Sequence, residues 1–217
     1  MELFSLASLI KLIILVYSAI LHEIAHGYVA YRLGDPTAKL RGRLTLNPIK
    51  HIDPYMTVLI PLLLIFSGSP IIFGGAKPVP VDPFNLRDGN KDLSLVSLAG
   101  PLTNILLAIV GSVILHIFYP GFRLADAFTH DIVSAIIATI VQINLFLAVF
   151  NLVPIPPLDG SKVFALLLPP KQAAAYMSLS SVGMIFLMIL LFYPIGGFSL
   201  MNLISSLVSS FISLLGL

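Results

Sequence analysis

Between Phe4 and Leu33 the chain runs for 30 residues with only Lys11, Glu23 and Arg32 carrying charge. That is longer than the ~20 apolar residues needed to cross the hydrocarbon core of a bilayer. Such a run forms either a membrane-crossing helix or the centre of a large soluble core. With 58% hydrophobic and 10% charged residues in 217, and a mean hydropathy of +1.02, the chain lacks the polar surface that a soluble core would need around it. The helix is predicted to stop at Gly34, a residue suited to an αL cap, and Asp35-Pro36 prevents it from continuing.

Inside this run lies Leu21-His22-Glu23-Ile24-Ala25-His26-Gly27. At helical geometry His22 and His26 stand one turn apart on one face, so their ring nitrogens converge on a single Zn²⁺. Glu23, about 100° round the helix, then stands beside the open coordination position. With five His and two Glu in 217 residues, chance yields His-Glu-x-x-His about once in a thousand such chains. The competing reading makes the three residues hydrogen-bonded members of a bundle core. Ionisable groups at membrane depth cost several kcal/mol unless paired, metal-bound or facing water, which weighs against that reading.

Composition bounds the rest. No basic face interleaved with aromatics is present, so nucleic acid is not an expected partner; the net charge of +2 comes from loop Lys and Arg and bears on topology. The absence of cysteine excludes thiolate metal sites. No polar block is long enough for an appended folded domain. A single membrane-embedded domain over residues 1–217 is expected, with a catalytic core at about 4–168 and accessory spans at about 174–217. No basic residue precedes Lys11 and the apolar run continues to Leu33, so the first helix is expected to be retained rather than cleaved as a signal peptide.

Arg32, Lys39, Arg41, Arg43 and Lys50 form the densest basic loop, which the positive-inside rule places in the cytoplasm; the His pair then lies toward the cytoplasmic half of the membrane. Arg43 to Pro48 alternates polar and apolar residues, predicting a short strand. Met56 to Phe66 is apolar but short, and either crosses through about Phe73 or re-enters. Ala76-Lys77-Pro78-Val79-Pro80-Val81 is extended by its prolines. These leave one edge, that of Val79 and Val81, able to pair; the plainer alternative is a Pro-rich surface loop. Further segments are Leu93–Tyr119, interrupted near Gly100-Pro101, Ile132–Val153 with Gln142, Asn144 and Asn151 among aliphatics, Tyr176–Tyr193 and Leu200–Leu217. The predicted fold is an all-α polytopic membrane protein. It has about five or six membrane segments and a short re-entrant or β-hairpin element near the active site.

A catalytic zinc needs a third protein ligand. His116 lies toward the outer end of its helix, roughly 15–20 Å from the level of His22. His130, Asp126 and Asp131 fall in the outer loop, and Asp35, His51 and Asp53 in the basic loop. Asp159 follows a proline-broken helix end, sits among apolar residues and is level with His22 and His26; its other reading is a helix N-cap.

His22-Glu23-Ile24-Ala25-His26-Gly27, with Asn151-Leu152-Val153-Pro154 and Leu158-Asp159-Gly160, resembles the site-2 protease family of intramembrane zinc metalloproteases. Gly100-Pro101-Leu102-Thr103-Asn104 and Gly75-Ala76-Lys77-Pro78-Val79 resemble it too, so the likeness spans about residues 21–160 and not the last two spans. The resemblance implies one Zn²⁺ per chain on His22, His26 and Asp159, with Glu23 as general base. It places Asn151, Asn104, Lys77 and Val79 among the substrate-binding residues. It further implies membrane-protein substrates with a transmembrane segment, in the compact prokaryotic type without PDZ or CBS domains, which sits in a prokaryotic plasma membrane as a multi-pass protein with its site toward the cytoplasm. The rival classes are a membrane metal transporter, whose ionisable residues would lie at several depths, and a non-proteolytic zinc-binding membrane protein, against which an intact Glu23 argues.

Overall fold

The computed structural model describes residues 6–66, 76–124 and 131–217. Helix α1 (Leu6–Leu33) has 28 residues, about 42 Å of rise. It ends where Gly34 turns to φ 117°, and the fully buried Asp35 ties the chain down by accepting from the Asp82 N–H at 2.7 Å and the Asn85 amide at 3.0 Å. Helix α2 (Thr37–Leu40), a 3₁₀ turn at Pro48–His51, a π turn at Pro54–Leu59 and helix α3 (Ile60–Phe66) follow.

The strand expected from Arg43 does not form, and no strand occurs among the described residues. Its backbone and side chains are taken up locally instead. The Arg43 N–H donates to the Ala38 carbonyl, the Thr45 carbonyl accepts from the His51 ring, and Asn47 caps the next turn by accepting from the Ile49 N–H. With those groups committed, no ladder partner remains to define a strand.

Helix α4 (Gly89–Phe118) is continuous for 30 residues through Pro101, where an interruption was expected. Proline removes one intrahelical hydrogen bond, but Pro101 is fully buried against the bundle, and packing holds the helix through it. Helix α5 (Ile132–Asn151) begins at a capping box in which Asp131 accepts from the Ser134 N–H at 2.8 Å. After the break at 152–158 come α6 (Asp159–Ala165), α7 (Pro170–Ser178), α8 (Ser180–Phe192) and α9 (Leu200–Leu214).

α4 packs against both α1 and α5, and α9 against α5. Ala108, Leu115, Val141 and Leu145 fill one part of the core, and Val149, Leu187, Leu191 and Ile204 another. Three helices, α1, α4 and α5, are long and apolar enough to cross a membrane; α7 and α8, bent by 66°, make a fourth if they count as one span. α9 is apolar but only 15 residues long, and the segment begun by α3 continues into residues outside the described set. The chain is an all-helical membrane protein.

Candidate functional site

Two long helices and one broken one meet at the His pair. His22 and His26 project from α1 one turn apart, their rings 4.6 Å apart and edge-on. The main-chain break after α5 returns the chain so that α6 begins with Asp159, the N-cap position being Leu158 rather than the aspartate. That return is very tight. A Cβ on Gly160 would stand 2.1 Å from the Leu152 carbonyl oxygen, so only glycine lets the start of α6 pass the end of α5.

His22 Nε2, His26 Nε2 and Asp159 Oδ2 lie within 3.0–3.1 Å of one another, and all three residues are buried. They are the His/Cys/Asp/Glu group capable of holding a metal ion among the described residues. His26 Nδ1 is 2.6 Å from the Val96 carbonyl, which only accepts, so Nδ1 carries the proton and Nε2 the lone pair. For His22 the same result follows through a relay. The Asn144 amide nitrogen donates to the Ile140 carbonyl at 2.8 Å, so Asn144 Oδ1 faces Asn104 and accepts from its amide nitrogen, also at 2.8 Å. Asn104 Oδ1 therefore faces His22 Nδ1, at 2.6 Å, and accepts its proton.

Two ring lone pairs and a carboxylate oxygen thus converge. A ring nitrogen carries one proton or one lone pair, never both, so meeting all three contacts by hydrogen bonds would need one N–H split between two acceptors, one lone pair shared by two donors, and a protonated carboxyl beside an imidazolium. A cation resolves the conflict. Four ligands about 2.0–2.1 Å from Zn²⁺ stand about 3.3 Å from one another in a tetrahedron, close to the spacing seen. The residues present fit a zinc ion.

The site is backed by α4. A Cβ on Gly100 would fall 2.5 Å from His22 Cε1 and Nε2 and 2.6 Å from His26 Nε2. In front lies a largely apolar cleft of about 240 Å³ lined by His22, Glu23, His51, Phe150 and Asn151, among others. Glu23 is half-buried there. Its Oε2 accepts the Val79 N–H at 2.6 Å, and its Oε1 has no partner among the described residues.

Of the residues picked from the sequence, His22, Glu23 and Asn151 line one cleft, with the Asn151 amide donating to Leu147 O at 2.9 Å, and His26 and Asp159 meet the His22 ring at its wall. Asn104 is fully buried behind the His22 ring, on the side away from the cleft, with both ends of its amide engaged. The Val79 edge expected to be open is occupied: the Lys77 N–H donates to His51 O at 2.8 Å and the Val79 N–H to Glu23. Lys77 also lines a separate basic cleft. His116 bonds to Ser112 O far along α4, about 24 Å of helix from Gly100, and His130 and Asp126 lie outside the described residues. Sequence reasoning missed the Asn144–Ser18 end of the relay, a contact of 3.0 Å, and the role of Gly100; the one available signal was an asparagine within an aliphatic run.

The profile of Peptidase family M50 matches residues 10–142 and 125–190. YwhC of Bacillus subtilis, named as a candidate zinc metalloprotease, is 39% identical over 195 residues, 89% of this chain and 85% of its own length. Rip2 of Mycolicibacterium smegmatis, named in the same way, is 32% identical over 177 residues, 82% of this chain and 64% of its own length. MJ0611 of Methanocaldococcus jannaschii, again so named, is 37% identical over 102 residues, 47% of each chain. The chain thus spans less than two thirds of Rip2. No solved structure matches it significantly.

Proposed function

The chain belongs to peptidase family M50 and is an intramembrane zinc metalloprotease, and from that premise we propose how its residues divide the work. His22, His26 and Asp159 hold one Zn²⁺. The carrying observation is the convergence of their three lone-pair atoms at 3.0–3.1 Å with both Nδ1 protons committed elsewhere. When bound, the zinc acidifies a water and polarises the scissile carbonyl.

Glu23 is the general base. Val79 anchors Oε2 and leaves Oε1 free on the cleft side to take the water's proton and return it to the leaving nitrogen. Asn104 acts behind the site: by accepting from His22 Nδ1 it fixes the ring's tautomer and orientation, a supporting rather than a substrate-touching role. Asn151, at the cleft, contacts the substrate backbone.

Substrates are proteins. We place the scissile bond in or near a transmembrane segment, which must partly unwind because helical carbonyls are hydrogen-bonded. An unwound strand meets Lys77 to Val79, where pairing uses the Val79 carbonyl or displaces its N–H from Glu23. The basic loop after α1 supports a multi-pass arrangement in a prokaryotic plasma membrane with the site toward the cytoplasm. One catalytic domain spans the chain, with its core at about 4–168. The transporter reading has no observation in its favour.

The test compares wild type and Glu23→Gln on single-span membrane peptides in detergent, with metal content measured in both. The variant is expected to retain zinc and lose roughly 10²–10⁴-fold in cleavage. Equal cleavage by the variant rules out Glu23 as the base.

A further inference from the structure

On the face of the Lys77–Pro80 segment away from Glu23 lies a second cleft, of about 420 Å³, lined by Arg41, Arg43, Lys50 and Lys77 together with Ile49, Ile52, Pro78 and Pro80. Four cations line one depression, and no carboxylate does. None of the four forms an ion pair among the described residues. Arg43 is buried. Its Nη2 donates to the Lys77 carbonyl at 2.6 Å, while its Nε is enclosed without an acceptor among the described residues.

Like charges gathered this closely repel one another and lower the stability of the empty fold, so the arrangement fits an anion in the cleft. The walls say more about which one. Ile49 (73% exposed) and Ile52 line the cleft itself, and Leu46 is exposed nearby, so the ligand presents an apolar part beside its charge. The cluster also begins only eight residues after the end of the α1 span, at the level where a membrane surface holds lipid headgroups.

We propose that this cleft binds the phosphate of an anionic phospholipid, with Arg41, Arg43, Lys50 and Lys77 around the headgroup and Ile49 and Ile52 along the acyl-glycerol portion. A zwitterionic lipid fits worse, because the cleft offers no acid to its cationic group. Free phosphate shares the anion chemistry and lacks the apolar part. Resting on the protease reading, one consequence follows for activity. The lipid would seat on one face of the segment whose Val79 N–H holds Glu23 on the other, so its occupancy steadies the base.

The test titrates short-chain phosphatidylglycerol, short-chain phosphatidylcholine, inorganic phosphate and a polyglutamate peptide onto the full-length chain in detergent, counting bound adducts by native mass spectrometry. Phosphatidylglycerol is expected to bind most tightly, and Arg41→Gln with Lys50→Gln to weaken it by roughly 25-fold, since each interfacial cation contributes a factor of about five. Thermal unfolding followed by circular dichroism checks that the double variant folds. Should it not fold, the salt dependence of wild-type binding decides: affinity falling steeply with salt supports the site, and salt-independent binding overturns it. The proposal is equally overturned by equal binding of the two lipids, by phosphate matching phosphatidylglycerol, by polyglutamate binding where the lipid does not, or by a folded double variant with wild-type affinity. None of these readings uses cleavage, so failure here leaves the protease assignment standing.

Discussion

Gly100→Ala puts one methyl group between α4 and the metal ligands. The added Cβ would sit 2.5 Å from two atoms of the His22 ring, about 0.9 Å short of the 3.4 Å at which ordinary contact begins. Neither ring has room to retreat, because His22 is tethered to Asn104 and His26 to Val96 by bonds of 2.6 Å. A ligand displaced by most of an ångström lies well outside the ~0.2 Å tolerance of a zinc site. Zinc affinity is expected to fall about 10–100-fold, about 1.4–2.8 kcal/mol, the range seen when ligand orientation is disturbed. Fold stability without metal should fall as well, because the same clash must be relieved whether or not zinc is present: overpacking costs about 1–3 kcal/mol, more than the up to ~1 kcal/mol that alanine gains over glycine in a helix interior. The assay is chelator competition for zinc, paired with thermal unfolding of metal-free protein. A Gly100→Ala protein that binds zinc as tightly as wild type would show that the imidazoles are not pinned between α4 and the third ligand.

Asn104→Leu removes the acceptor for His22 Nδ1 and should lower zinc affinity roughly 10–100-fold; stranding Asn144 Oδ1 should also cost about 1–3 kcal/mol in a denaturant melt, and unchanged affinity refutes the relay. Val79→Pro deletes the N–H that anchors Glu23 and should reduce cleavage about tenfold or more with zinc content intact; full activity would show that the anchor is dispensable. Asp35, just beyond the α1 span, is pushed up by burial, but hydrogen bonds from Thr37, Asp82 and Asn85 outweigh this and hold its carboxyl below the usual carboxylate range. A depressed folded-state pKa means that the unfolded chain binds the extra proton, so this stabilisation is present above about pH 4 and lost as pH falls below it. The melting-temperature advantage of wild type over Asp35→Asn should therefore shrink in acid, and an advantage constant with pH contradicts the assignment.

His22, Glu23, His26 and Asp159 were legible because polar groups in apolar surroundings need a reason, and their spacing and depth gave one. What surrounds them was not. The Asn104–Asn144–Ser18 relay joins residues 40 and 126 positions apart, and no local pattern reports which asparagine meets which. Pro101 reads as a break by intrinsic propensity, and tertiary packing overrides it. The Arg43–Pro48 alternation reads as a strand, but local partners, the Ala38 carbonyl and the His51 ring, took the backbone groups that a strand would have offered. The segment around the prolines at 78 and 80 forms neither helix nor turn; that its free edge is spent on Glu23 depends on the register against α1, which the sequence does not carry.

Asp159 lies 137 residues after His22. On a ribosome adding about 5–20 residues per second, roughly 7–27 s separate the two, during which α1 has entered the membrane with its histidine pair but without the carboxylate that completes the site. A nascent chain holding only two ligands grips zinc poorly, so hydrolytic competence arrives late in biogenesis, after α4 and α5 have been made. Completion of the proposed metal set thus waits on the return of the chain after α5.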